Sequence, residues 1–208
     1  TYSLSSHPLY NVEELSAIAA LIPKMNKGRK LQTPTDAAEF LLEVLLVNAY
    51  NNDNENAFKV DKMAYADVLK IENEPWYTEY TSSISDEGYK AIKSGFFADT
   101  YTSLSEIKES LKSQMHYHAI MNNKNYGGDH VEYFINTYEN EYKELGFDIA
   151  AYKNSDKKKA VFLELIASGA SNITALKNNF NSLFAEKEES LPPASVPSGG
   201  GGGGGGGG

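Results

Sequence analysis

Residues 37–50 read AAEFLLEVLLVNAY, an almost unbroken apolar run of helical length. A helix that is apolar all round belongs in the middle of a bundle rather than on its edge. Glu39 and Glu43 mark its one solvated edge. Thr33-Pro34 supplies the start, because proline is pre-organised for the first helical position and has no N–H to leave unpaired there. The polar stretch 51–56 is the loop that follows. A buried central helix needs amphipathic helices around it, and the flanking sequence supplies them.

Upstream, Asn11-Val12-Glu13-Glu14 is an N-cap with Glu at the third helical position. Val12, Leu15, Ile18, Ala19 and Ile22 then share one helical face, and Pro23 is expected to stop the helix. Downstream, a helix is expected over about 60–72, with Met63, Ala64, Val68 and Ile71 inward. Pro75 opens a short segment carrying Trp76, Tyr77 and Tyr80, and Ser85 caps a brief helix over 86–94 closed by Gly95. Ser103-Leu104-Ser105-Glu106 is a capping box, followed by Leu104, Ile107, Leu111, Met115 and His118 at helical spacing. After the turn-rich loop 122–128, a helix beginning at 129–132 carries Val131, Phe134, Ile135, Tyr138, Tyr142 and Leu145 and ends at Gly146. Ser155 is read as the cap of a helix bearing Val161, Phe162, Leu165 and Ile166, ended by Gly169. Ser171 is read as the cap of the last, bearing Ile173, Leu176, Phe180, Leu183 and Phe184. The expected fold is all-α, an irregular antiparallel bundle of seven or eight helices over residues 1–185. No repeat period suggests a solenoid. Residues 186–208 run from a charged stretch through LPPASVPS into ten glycines, a composition that cannot bury a core and is expected to form a disordered tether.

Composition excludes several functions. The 208 residues include no cysteine, which removes disulfides, thiolate nucleophiles and the usual structural zinc sites. A net charge of -9 argues against general nucleic-acid binding, which needs cations to displace the phosphate counterions. No apolar run approaches the roughly 20 residues of a membrane helix.

The chemical motifs are equally sparse. Neither GxGxxG nor GxxxxGK[ST] occurs, and the internal pair Gly127-Gly128 reads as a turn. His116 and His118 lie two apart on a helix and point to different faces. His130 beside Asp129 could approach them, but HExxH and ExxH are missing, so no metal site is expected and His118 reads as a packed histidine. The acidic loop at 51–55 lacks the glycine and glutamate of a calcium loop. There is no GxSxG elbow, and the adjacent carboxylates Glu13-Glu14 and Glu188-Glu189 lie in a cap or the tail. The expectation is a non-enzyme with no catalytic residues and no cofactor.

Surface recognition remains. Two basic clusters interrupt the acidic chain: Lys24, Lys27, Arg29 and Lys30, and Lys153, Lys157, Lys158 and Lys159. The second sits at a helix start, where cations oppose the helix dipole. Solvated faces are the plain explanation of both; contact with an anionic partner is the functional one. Of fourteen tyrosines, Tyr126 falls in a loop and Tyr133 off the apolar stripe, and exposed tyrosine is favoured at interfaces. Asn172-Ile173-Thr174 is a glycosylation sequon at a helix start.

The ends bear on location. The sequence opens at Thr1 rather than Met, which fits either a removed secretory signal or a cloning choice. Ser198 and the glycines offer the small residues of a lipid-attachment site without its apolar tail, and an engineered glycine linker is the other reading. This layout, an acidic, cysteine-free helical domain ending in LPPASVPS plus glycines, resembles the GPI-anchored merozoite surface antigens of Babesia parasites. The resemblance implies an extracellular, membrane-anchored ectodomain that binds a host red-cell receptor, protein or sialoglycan, and is seen by host antibodies. Membrane contact would be only through the C-terminal lipid anchor. The two basic clusters, with Tyr126 and Tyr133, are then the candidate receptor contacts. The alternative is a cytoplasmic helical scaffold or protein–protein interaction domain.

Overall fold

A computed structural model of the chain describes residues 4–52, 54, 65–83, 92, 94, 100–121 and 128–185. These residues form nine α-helices and two 3-10 turns, with no strand among them. The fold is all-α. Two 3-10 turns, Leu4–Ser6 and Val12–Glu14, lead into α1 (Leu15–Asn26) and α2 (Pro34–Asn51). Then follow α3 (Pro75–Ser83), α4 (Leu104–Met121), α5 (Gly128–Thr137), α6 (Glu139–Glu144), α7 (Ile149–Lys153), α8 (Lys158–Ala167) and α9 (Ile173–Ala185). The tether 186–208 and Tyr126 lie outside the described residues, as do 60–64 and nearly all of the helix expected over 86–94.

The apolar run of α2 is buried as expected, with Val44, Leu46, Val47, Ala49 and Tyr50 all wholly inaccessible. Thr33 caps it: its hydroxyl accepts from the Asp36 N–H, and the Asp36 carboxylate reaches back to the Thr33 N–H at 2.9 Å. The second hub is α4, which packs on α2, α3, α5 and α9. Ile107, Leu111, Met115 and Ala119 make one buried stripe, while His116, His118, Ile120 and Met121 bury its other sides. Its N-terminal box is offset by one residue. Ser103 accepts from the Glu106 N–H, but Glu106 reaches back to the Thr102 N–H at 2.6 Å. One hydrophobic cluster runs from Leu9 to Phe184.

Polar clamps fix the connections. Asn51 both donates to the Tyr101 carbonyl (2.8 Å) and accepts from the Tyr101 N–H (2.6 Å), tying the end of α2 to the approach to α4. Asn181 does the same for the turn before α7, donating to the Gly146 carbonyl and accepting from the Asp148 N–H. Gly146 (φ +89°) and Gly169 (φ +62°) end α6 and α8 in the left-handed region, where a side chain would be strained.

Several local expectations are corrected. Pro23 does not stop α1, which continues through it to Asn26. Pro23 is exposed and only three residues from the helix end, so the carbonyl its ring leaves unpaired faces solvent. The inward face of α1 is Ile18, Leu21 and half-buried Met25, whereas Val12, Leu15, Ala19 and Ile22 are exposed. The described part of the expected 60–72 helix, from Tyr65 onward, is a chain of turns with left-handed Tyr65 and Lys70, though Ile71 is buried. The 129–145 stripe is one face of two helices, broken at Tyr138. Ser155 accepts only from the Lys157 N–H, and α8 starts three residues later. The cap of α9 is Asn172, whose Oδ1 accepts from the Ala175 N–H, rather than Ser171. The short helix α7, capped by Asp148 on the Ala151 N–H, went unread in the sequence.

Pro23→Ala is expected to stabilise the protein by about 1–2 kcal/mol, a discounted helix-interior proline cost because the site lies near the helix end. Urea denaturation followed by far-UV circular dichroism measures it; a destabilised variant would mean that α1 bends at this residue for packing.

Candidate functional site

The first basic cluster occupies the end of α1 and its turn into α2. Lys27 (φ +35°) and Gly28 (φ +82°) both take left-handed conformations there, which reverses the chain in two residues. Arg29 is engaged within the fold. Its guanidinium forks onto Glu43 of α2, Nη1 to Oε2 at 2.6 Å and Nη2 to Oε1 at 3.0 Å, and lies 5.6 Å from the Phe40 ring centre. The bond to Glu43 raises its pKa, reinforced by the nearby carboxylates of Glu39 and Asp36. Arg29 thus staples the hairpin, and Glu43, expected as a solvated edge, is its anchor. Lys24, Lys27 and Lys30 are exposed, with no ion pair among the described residues. The turn lies near the start of α4, where Lys27 adds to the Thr102 hydrogen bonds that hold the Glu106 carboxyl below its usual range.

The second cluster is largely spent within the fold. Lys153 pairs with Glu139 at 2.6 Å, and Lys159 reaches Asp129 at a loose 3.7 Å. The Lys158 ammonium sits 4.8 Å from the centre of the Tyr152 ring. Tyr152 in turn donates to Asn136 at 2.7 Å, and burial pushes its phenol up to about 12. Lys157 is exposed without an ion pair among the described residues. The close approach of α5 to α8 is set at Gly128, where a Cβ would lie 3.4 Å from the Lys159 carbonyl. The two clusters are carried by different helix pairs: α1 on α2, and α8 on α5 and α9.

Tyr133 is half-exposed on α5, beside a network that sequence reasoning did not find. The Glu79 carboxylate on α3 accepts from the Tyr138 hydroxyl and also raises the Tyr133 phenol pKa. Below it His116, expected to project to a different face from His118, is wholly buried; His118 is buried too, because the C-terminal turns of α4 are enclosed on nearly every side. His116 is ringed by Trp76 and Tyr80 of α3, Tyr138, and Tyr142 of α6, with ring centres 4.9–5.9 Å away. Another polar contact absent from the sequence reading is Asn48, buried within α2, which donates to Glu14 at the entry to α1. Such pairs join residues 22–59 apart in sequence, so no local spacing announces them.

No group of three or more His, Asp or Glu suited to a metal ion occurs among the described residues. A cavity of about 300 Å³ lies between His7 and the Thr35, Ala38, Leu41, Leu42 and Leu45 side of α2. Its described lining is mostly apolar, with Glu39 at the rim, and lacks the convergent polar groups that orient a substrate. Asn172 of the sequon is exposed, its side-chain oxygen engaged in capping α9. No family model matches the chain, and neither a curated protein nor a solved structure matches it.

A double-mutant cycle on Arg29→Ala and Glu43→Ala is expected to return a coupling of about 1 kcal/mol or less, as for partly exposed pairs. Thermal denaturation of the four proteins measures it; a coupling above about 2 kcal/mol would make this pair a principal support of the hairpin.

Proposed function

We propose that the chain is a non-enzymatic surface antigen that attaches to host erythrocytes, displayed outside the cell on a C-terminal GPI anchor. Within the Babesia merozoite antigens, its layout resembles the small erythrocyte-binding antigen of Babesia canis. The observation that carries the reading is the α1–α2 turn. Arg29 is locked onto Glu43, and the lock presents Lys24, Lys27 and Lys30 together, exposed and without ion pairs among the described residues. A chain at -9 gains nothing from net charge on an anionic cell surface, so attachment calls on a local basic patch or a protein receptor. Three exposed ammonium groups at the end of α1 and its turn suit sialylated glycans or an acidic receptor segment. The pairing of Lys153 and Lys159 moves the second cluster to a supporting role, leaving Lys157 as its contact. Tyr133 supplies an amphipathic ring elsewhere on the surface.

One observation favours a second reading, a helical scaffold for a partner protein. From Leu15 to Pro23 α1 carries no charged residue, and Leu15, Ala19 and Ile22 face outward. An apolar helix face of this kind suits a partner helix.

Binding of the purified protein to intact erythrocytes tests the proposal. Saturable binding is expected, reduced by sialidase and by raising salt from 0.05 to 0.3 M on the order of the Debye-screening argument. The triple variant Lys24→Ala, Lys27→Ala and Lys30→Ala is expected to bind about tenfold more weakly. Absence of binding by folded wild-type protein would overturn the adhesive reading; unchanged binding by the folded variant would overturn the assignment of the turn.

A further inference from the structure

His116 sits at the middle of α4 with no accessible surface. Its Nδ1 lies 2.8 Å from the Lys112 carbonyl oxygen. A carbonyl can only accept, so Nδ1 carries the hydrogen and Nε2 is the bare nitrogen. That nitrogen is buried and has no hydrogen-bond partner among the described residues. Around the ring stand the aromatic side chains of three different segments: Trp76 and Tyr80 from α3, Tyr138 from the break between α5 and α6, and Tyr142 from α6. The neutral imidazole is therefore one of the surfaces on which α3 is seated.

We propose that His116 is an acid-sensitive latch for α3: neutral, it holds the helix against α4; protonated, it becomes a buried cation with no counter-ion, and α3 leaves its seat. The charged groups on the packed elements cannot rescue the cation in place. Glu79 on α3 is engaged by the Tyr138 hydroxyl. Lys112 on α4 opposes a second positive charge and is itself paired with Glu144 of α6 at 3.0 Å. Glu141, also on α6, feels no contact with the ring but bears on the Tyr138 and Tyr142 phenols. His130 on α5 packs edge-on to Phe134 at 4.4 Å rather than on His116, and Glu79 favours its charged form against burial. Burial keeps the Tyr80 and Tyr142 phenols neutral throughout the relevant range. Undocking α3 would also carry Glu79 away from Tyr138 and Tyr133, so the tyrosine surface changes with it.

The direction in pH follows from linkage. Burial pushes the folded His116 down to about 3 from the ordinary 6.5. The undocked form therefore takes up the proton first. The contribution of neutral His116 to docking is fully present above about pH 6.5 and is lost as pH falls toward 3, by up to about tenfold in the equilibrium per pH unit.

Trp76 is the only tryptophan of the chain and touches the latch, so its emission reports docking directly. Between pH 7 and 4 at constant ionic strength, the wild type is expected to show a red shift and greater acrylamide quenching. Most of the far-UV helical signal should persist. His116→Phe keeps an aromatic ring in the cage and removes the proton, and its transition is expected at least one pH unit lower. The same midpoint in both proteins, wild-type emission unchanged down to pH 4, or one coincident loss of emission and helix would each overturn the proposal. If the variant does not fold, the His116 Cε1–H resonance of the wild type decides. A shift that stays flat while Trp76 remains buried supports the latch, and titration near pH 6.5 with Trp76 still buried refutes it.

Discussion

The structure depends on one constraint: the C-terminal turns of α4, from Met115 to Met121, are enclosed on nearly every side, so what they carry inward must be packed and bonded by the helices that cover them. Tyr142 of α6 donates to the carbonyl of His116, and the Tyr117 hydroxyl donates to the carbonyl of Ala170 at the approach to α9. Lys112 keeps only its ammonium at the surface, where Glu144 meets it, while its stem lies along apolar neighbours. Helices α2, α3, α5 and α9 are positioned by packing on this one element. Short helices such as α3 and α6 could not persist alone, since a helix of six to nine residues is too short to offset its nucleation cost. They persist because aromatic rings from each of them meet in the cage around His116.

Much of this was legible in the chain. The run 37–50 is buried because there is no polar face to expose, and Thr33 caps it because Pro34 and Asp36 follow. What was not legible has a physical pattern. Pro23 reads as a stop, but at an exposed position near the helix end the missing hydrogen bond leaves no buried carbonyl to penalise. The face of α1 was misassigned because Leu15–Asn26 is apolar over more than one side, so periodicity alone could not choose between Ile18 with Leu21 and Leu15 with Ile22. His116 carried no signal beyond its type, since its cage is assembled from residues at 76, 80, 138 and 142. The basic clusters were visible as clusters. Their division into spent and free charges was not, because Glu43 and Glu139 lie fourteen residues from Arg29 and Lys153.

That division shapes the functional account. Cations that close onto carboxylates hold the hairpin α1–α2 and the α6–α7 turn, while Lys24, Lys27 and Lys30 at the α1–α2 turn have no ion pair among the described residues. A rigid scaffold with a small basic protrusion can attract an anionic partner locally while its overall acidity discourages nonspecific adhesion. On the proposed function, specificity would rest on the spacing of Lys24, Lys27 and Lys30, which the Arg29–Glu43 fork and the left-handed pair Lys27-Gly28 constrain.

Hydrogen–deuterium exchange read by mass spectrometry, on the protein alone and with erythrocyte membranes, tests scaffold and patch together. The account predicts the slowest exchange in α2 and α4 in both samples, with protection gained on membranes over residues 24–31. Exchange in α4 as fast as in α1, or protection gained over α5 and α8 with none at the turn, would contradict it.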